Sequence, residues 1–79
     1  MELHVGNLDH KMTVNELRDI FSPYGKIVSA RIFTDYYTRQ RRDFGFVRMS
    51  TRSEGYKAII ELHGKAINNR PLIVKEVLL

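Results

Sequence analysis

The chain has 79 residues, a formal net charge of +4 and no cysteine. This length allows one domain, residues 1–79, with one hydrophobic core, and the lack of cysteine excludes disulfide bonds and thiolate metal sites. The apolar runs are too short for a membrane span or a signal peptide, so we expect a soluble, monomeric, intracellular protein in the cytoplasm or nucleus.

The first predicted elements are a short strand and a helix. Residues 3–8 read LHVGNL, and the alternation of the strand turns His4 outward while its aliphatic neighbours face the core. Thr13 and Glu16 have the spacing of a capping box, which predicts the start of a helix. The buried stripe of this helix is predicted to consist of Val14, Leu17, Ile20 and Phe21.

A second strand is predicted over residues 27–35, followed by a polar loop. Ala30 and Ile32 fit the inward face, which leaves Arg31 and Phe33 outward. The loop over residues 35–41 reads DYYTRQR and combines aromatic with basic side chains. Such a loop suits clamping a nucleic-acid strand from one side.

Residues 42–49, which read RDFGFVRM, form the strand that carries the functional signal. Alternation places Phe44 and Phe46 on one face together with Arg42 and Arg48, while Val47 and its neighbours face the core. Residues 39–52 hold five basic residues and one acidic residue, and the rest of the chain sums to zero charge. The pattern predicts a stacking platform for single-stranded nucleic acid. The alternative is a strand buried on both faces, in which the Phe residues only fill the core.

The remaining chain predicts a second helix and a last strand. Thr51 and Glu54 repeat the capping box, and a turn over residues 68–71 precedes a strand over residues 72–77 with Lys75 outward. The order of elements predicts an α+β protein, a ferredoxin-like βαββαβ sandwich with a four-stranded antiparallel sheet and two helices on one face. The other face of the sheet would be uncovered.

Two motifs resemble the RNA recognition motif family. RDFGFVRM is similar to the octamer of that family at five of seven specified places. Asp43 replaces a usual Gly, and Met49 replaces a usual aromatic residue. The LHVGNL segment is similar to the N-terminal hexamer of the family and departs from it at His4, where an aromatic residue is usual. The two motifs occur in the order and at the separation found in the family.

The resemblance implies that single-stranded RNA binds to the uncovered sheet face, with single-stranded DNA as a further candidate. His4 and Phe46 would each stack a base, Phe44 would pack between two sugars, and Arg42 would pair with a phosphate. His4 would also make binding depend on pH. The predicted RNA-binding residues are His4, Asn7, Arg31, Phe33, Arg42, Phe44, Phe46, Arg48 and Lys75. We expect no cofactor and no metal.

Two other classes of function are weighed against RNA binding. The first is a protein-interaction domain that binds a peptide or partner protein, for which the absent aromatics at His4 and Met49 and the apolar residues 77–79 are mild indications. Its family signature, Arg-x-Phe, is replaced here by Arg70-Pro71-Leu72. The second is an enzyme like acylphosphatase, which shares the topology. We expect no enzyme, because the chain lacks a Gly-rich phosphate loop and a nucleophile with a recognisable base.

Overall fold

The computed structural model describes residues 1–34, 38 and 41–78, except for the side chains of residues 34, 41 and 42. Of the loop predicted to clamp a nucleic-acid strand, residues 35–37, 39 and 40 and the side chain of residue 41 therefore lie outside the described part of the chain. The elements are β1 (Glu2–Gly6), α1 (Val14–Phe21), β2 (Ile27–Thr34), β3 (Arg41–Met49), α2 (Arg52–Leu62), β4 (Ala66–Ile67), β5 (Arg70–Pro71) and β6 (Ile73–Glu76).

Four of these strands form one sheet in the order β2-β3-β1-β6, and all neighbours are antiparallel. The predicted ferredoxin-like α+β fold is thereby confirmed, with β3 and β1 at the centre of the sheet. The segment predicted as a simple turn is a small hairpin of β4 and β5. Its loop residues Asn68 and Asn69 both have positive φ angles, 53° and 66°, a conformation that asparagine tolerates in tight hairpin turns.

The core lies between the helices and the inner face of the sheet. Leu3 and Val5 from β1, together with Val47 and Met49 from β3, have at most 1% of their surface exposed. The predicted stripe of α1 also packs there, with one exception. Val14 was predicted to be buried but is 38% exposed; it lies in the first turn of α1, and the buried residues of this helix lie further along it.

Glu54 joins the start of α2 to the neighbouring loops. In the capping box, the Thr51 side chain accepts a hydrogen bond from the Glu54 N–H at 3.2 Å, and the Glu54 carboxylate accepts one from the Thr51 N–H at 3.1 Å. The same carboxylate accepts hydrogen bonds from the Ser50 hydroxyl and, at 3.0 Å, from the backbone N–H of Lys26. These hydrogen bonds hold the pKa of Glu54 below its usual value, with the largest effect from the Ser50 hydroxyl and the next largest from the Lys26 N–H.

Gly45 allows the backbones of β2 and β3 to approach each other closely beneath the aromatic side chains. It lies in the middle of β3, between Val5 of β1 and Ile32 of β2. A Cβ atom at this position would overlap the backbone carbonyl oxygen of Arg31. The glycine between the two Phe residues is therefore required by the spacing of β2 and β3.

Candidate nucleic-acid interface

The outer face of the sheet carries two rows of functional side chains that run across the strands. In the first row, Arg31, Phe46, His4 and Lys75 are successive partners in the registers of β2, β3, β1 and β6. In the second row Phe44 lies beside Phe33, and Gly6 and Ile73, which pair with each other, lie on the same face by the alternation of β1 and β6. The helices contact the opposite face, so these side chains are not sealed beneath them.

Four rings form a contiguous aromatic cluster at the centre of this face, and each of them is half-buried. The members of the cluster are His4, Phe33, Phe44 and Phe46, with neighbouring ring centroids 5.3 to 5.5 Å apart and those of Phe44 and Phe46 6.2 Å apart. Aromatic pairs at this spacing contribute about 0.5–1.5 kcal/mol each beyond their buried area. The cluster is thus arranged before any ligand arrives, while part of every ring stays accessible.

The orientations of the rings restrict what can bind to them. The His4 ring is nearly parallel to that of Phe44, at 25°, but lies at 78° to that of Phe46. Bases that stack on His4 and on Phe46 would have planes in different orientations. Such bases cannot remain stacked on one another as they are in a duplex. The geometry therefore favours a splayed single strand.

Basic side chains flank the aromatic cluster. The Arg31 guanidinium carbon lies 5.0 Å from the Phe33 ring centroid and 5.5 Å from that of Phe46. Arg48 and Lys75 are exposed on the same face. Arg42 belongs to β3 and continues the alternation of Phe44, but its side chain lies outside the described residues. Cations at these places raise the local potential for a phosphate backbone.

Asn7 does not join the cluster, although it is among the predicted RNA-binding residues. It follows β1 with a φ of 59°, and its side-chain N–H donates to the Pro71 carbonyl oxygen at 2.9 Å. Its side-chain oxygen accepts two hydrogen bonds from Arg70, at 3.1 Å from Nε and 2.6 Å from Nη2. The described contacts tie the end of β1 to β5 and leave one amide N–H for a ligand.

One residue of this face was not singled out from the sequence. Glu2 has the same parity in β1 as His4, and its carboxylate lies 4.0 Å from Nη2 of Arg31. The alternation that placed His4 outward could have identified it. Asp43, in contrast, has the parity of Gly45 and the buried Val47, so its carboxylate does not project among the aromatic rings.

Other kinds of site find no support in the described residues. No group of three or more His, Cys, Asp or Glu side chains in that part of the chain is placed to hold a metal ion. No described helix is long and apolar enough to cross a membrane.

Comparisons with known proteins point to one family. A family model described as RNA recognition motif matches residues 3–73. Over 72 residues, which cover 91% of the chain, the sequence is 42% identical to the 28 kDa ribonucleoprotein, chloroplastic, of Spinacia oleracea, but the match covers only 31% of that protein. The chain therefore spans less than a third of that relative.

Solved structures give the same result for the fold. The crystal structure of RNA binding protein PG1 superposes with a TM-score of 0.94 at 39% identity and covers 100% of this chain and 95% of that one. A structure described as a Sxl-lethal protein/RNA complex superposes with a TM-score of 0.86 at 36% identity and covers 94% of this chain and 46% of that one.

Proposed function

The chain belongs to the RNA recognition motif family, and from this premise we propose that it binds single-stranded RNA across the outer face of its four-stranded sheet. The family is a generally non-enzymatic, RNA-binding one, and the ribonucleoprotein relative supports RNA binding as the general activity. The observation that carries the proposed mode of binding is the half-buried aromatic cluster at the centre of an uncovered sheet face.

Each aromatic ring has a proposed role that its position supports. Phe46 and His4 stack one base each, and the angle of 78° between them fits bases that have left a regular stack. Phe44, between Phe33 and His4, packs against sugars, while Phe33 extends the apolar surface toward β2. Stacking of a base on an aromatic ring contributes about 1–3 kcal/mol and tolerates every base. These contacts supply affinity without selecting a sequence.

The basic residues around the cluster are proposed to bind phosphates. Arg31 and Arg48 lie on the β2–β3 side and Lys75 lies on the β6 side, so a strand that crosses the sheet meets a cation at both ends. Arg42 is the fourth proposed phosphate contact. If all four bind, the logarithm of the association constant should fall with that of the salt concentration with a slope of about −2.8, since each contact on a single strand contributes about −0.7.

Binding to a labelled RNA pentamer tests this function, with fluorescence anisotropy as the measurement. Phe46→Ala should weaken binding by about 1–3 kcal/mol, because one base loses its stacking partner. Ile60→Ala is the matched control, since Ile60 is 77% exposed on α2, away from the sheet face. Equal affinity of Phe46→Ala and the wild type for every pentamer would contradict the proposed mode, provided that circular dichroism shows both to be folded.

The alternative of a peptide-binding domain is not favoured. The segment that would carry its signature is used within the molecule, because Arg70 is hydrogen-bonded to Asn7 and Leu72 is 1% exposed. Of the apolar terminal residues, Val77 is half-buried and its N–H donates to the Glu2 carbonyl oxygen at 2.9 Å, whereas Leu79 lies outside the described residues. Single-stranded DNA as a ligand, a protein partner, the monomeric state and a cytoplasmic or nuclear location stay predictions.

A further inference from the structure

Glu2 is a carboxylate on a face that is otherwise suited to a polyanion. The described strands hold three acidic residues, Glu2, Asp43 and Glu76. By the alternation of the strands, only the Glu2 side chain among these three lies on the same face of the sheet as the aromatic cluster. A negative charge at this place repels phosphates and so weakens binding that is independent of sequence. What a carboxylate contributes next to an RNA base is two strong hydrogen-bond acceptors.

The register places this carboxylate beside the ring that would hold a base. Glu2 pairs with Arg48 and His4 pairs with Phe46 in the β1–β3 register, so Glu2 is a diagonal neighbour of Phe46, within reach of a long side chain. Arg31 is the direct partner of Phe46 on its other side. The Glu2 carboxylate and the Arg31 guanidinium, whose nearest atoms lie 4.0 Å apart, are therefore both within reach of the edges of a base stacked on Phe46.

The two side chains together offer a donor followed by two acceptors. The Arg31 guanidinium donates, and the two oxygens of Glu2 accept. The Watson–Crick edge of guanine has the complementary order, with O6 as acceptor and the N1 and N2 groups as donors. Cytosine presents the same donor-acceptor-acceptor order to guanine in a base pair. We propose that Glu2 and Arg31 select a guanine stacked on Phe46, an inference that rests on the proposed RNA-binding function.

The other bases fit this arrangement less well. Uracil matches at O4 and N3–H but places its O2 acceptor against the second carboxylate oxygen. Adenine and cytosine place a ring-nitrogen acceptor against the carboxylate, and both turn an amino donor toward the guanidinium. Each mismatch brings two acceptors or two donors together and leaves them without partners. The expected order of affinity is therefore guanine, then uracil, then adenine and cytosine.

The unbound pair can open to admit a base at little cost. The Arg31 and Glu2 side chains are 65% and 35% exposed, and their 4.0 Å separation is long for an ion pair. Exposed pairs of this kind contribute little to stability. The Arg31 guanidinium is therefore free to leave the Phe46 ring and turn toward the edge of the base. When it does so it no longer binds a phosphate, and the expected salt slope becomes about −2.1, from the three remaining contacts, instead of about −2.8.

The test uses uridine pentamers that carry guanine, adenine, cytosine or inosine at each position in turn, with fluorescence anisotropy as the readout. At the position that reaches Phe46, the wild type should prefer guanine over adenine by at least about fivefold, the lower bound for a bidentate contact to a base. Inosine, which lacks the N2 amino group, should bind between guanine and adenine. Glu2→Gln should reduce the guanine preference to within about twofold, since one acceptor is replaced by a donor.

Glu61→Gln is the matched control, because it removes the same charge from an exposed position on α2. It should retain the guanine preference of the wild type. If the wild type binds RNA but shows no preference for guanine, or if Glu2→Gln keeps that preference, the assignment of Glu2 and Arg31 is overturned while the RNA-binding function stands. If no pentamer binds even at low salt, both fall together.

Discussion

The close approach of β2 and β3 at Gly45 makes Gly45→Ala an informative change. In the absence of any overlap, alanine in a strand is more stable than glycine by about 0.5–1 kcal/mol. Here the added Cβ meets the backbone oxygen of Arg31 rather than a flexible side chain, so a strand must move. Overpacking of this kind costs about 3 kcal/mol at the upper end of its usual range. The expected net loss is about 2 kcal/mol of unfolding free energy.

Thermal denaturation measures this loss directly. In a domain of this size a loss of about 2 kcal/mol corresponds to a fall in Tm of about 8–16 °C. The Gly45→Ala protein should still fold, because domains are commonly stable by about 5–15 kcal/mol. Its RNA affinity should fall as well, since the shift of β2 carries Arg31 and Phe33 away from Phe46.

Gly6→Ala is the matched control for Gly45→Ala. Gly6 also lies in a central strand, but the nearest atom to a Cβ there is His4 Cε1 at 3.3 Å, which belongs to a side chain that can turn. Its Tm should stay within about 4–8 °C of the wild type, which corresponds to about 1 kcal/mol. The reasoning fails if Gly45→Ala melts with the wild type, or if Gly6→Ala loses as much.

Three further predictions follow from named contacts. The pKa of Glu54 is lowered in the folded state. The ionised carboxylate therefore stabilises the fold at pH values above the usual carboxyl pKa, and this stabilisation is lost as the pH falls through the lowered pKa. The difference in Tm between wild type and Glu54→Gln should accordingly shrink below about pH 4. Asn7→Ala should lose about 2–4 kcal/mol of unfolding free energy in urea denaturation, because it loses the hydrogen bonds to Arg70 and Pro71 and places alanine at a positive φ. Asn7→Gly should lose less, because glycine adopts a positive φ without strain. A loss of RNA affinity without a loss of stability would instead make Asn7 an RNA contact. His4→Ala should weaken RNA binding in fluorescence anisotropy by about 1–3 kcal/mol, because one base loses its stacking partner, whereas His4→Phe should retain the affinity.

The alternation of the strands predicted most of the fold and of the face that carries the site. It placed Phe44 and Phe46 together, because successive side chains in a strand point to opposite sides whatever the tertiary structure. The extent of the core was less predictable, as Val14 shows. Helical periodicity predicts which face of a helix turns toward the sheet, but not how far along the helix the sheet covers that face. The hairpin of β4 and β5 depends on two consecutive positive φ angles at Asn68 and Asn69, which asparagine permits but does not require.

Contacts between distant segments were beyond the sequence. Nothing near Asn7 in the chain indicates that its side chain is hydrogen-bonded to Arg70 and Pro71, which come 63 and 64 positions later in the sequence. Likewise, the pairing of Glu2 with Arg31 follows from the order of β1, β3 and β2 in the sheet and from the length of an arginine that reaches across β3. Such contacts depend on the register between strands, which a period of two within each strand leaves open.

The three departures from the family motifs differ in what they affect. Met49 stands where an aromatic residue is usual, yet it is 1% exposed in the core, so its side chain does not belong to the surface that would meet RNA. Asp43 has the same parity as Met49. Only His4 among the three lies on the aromatic face, where its ring contacts both Phe44 and Phe46. Two of the three departures therefore give no reason to expect a ligand other than RNA, and the third replaces one stacking ring by another.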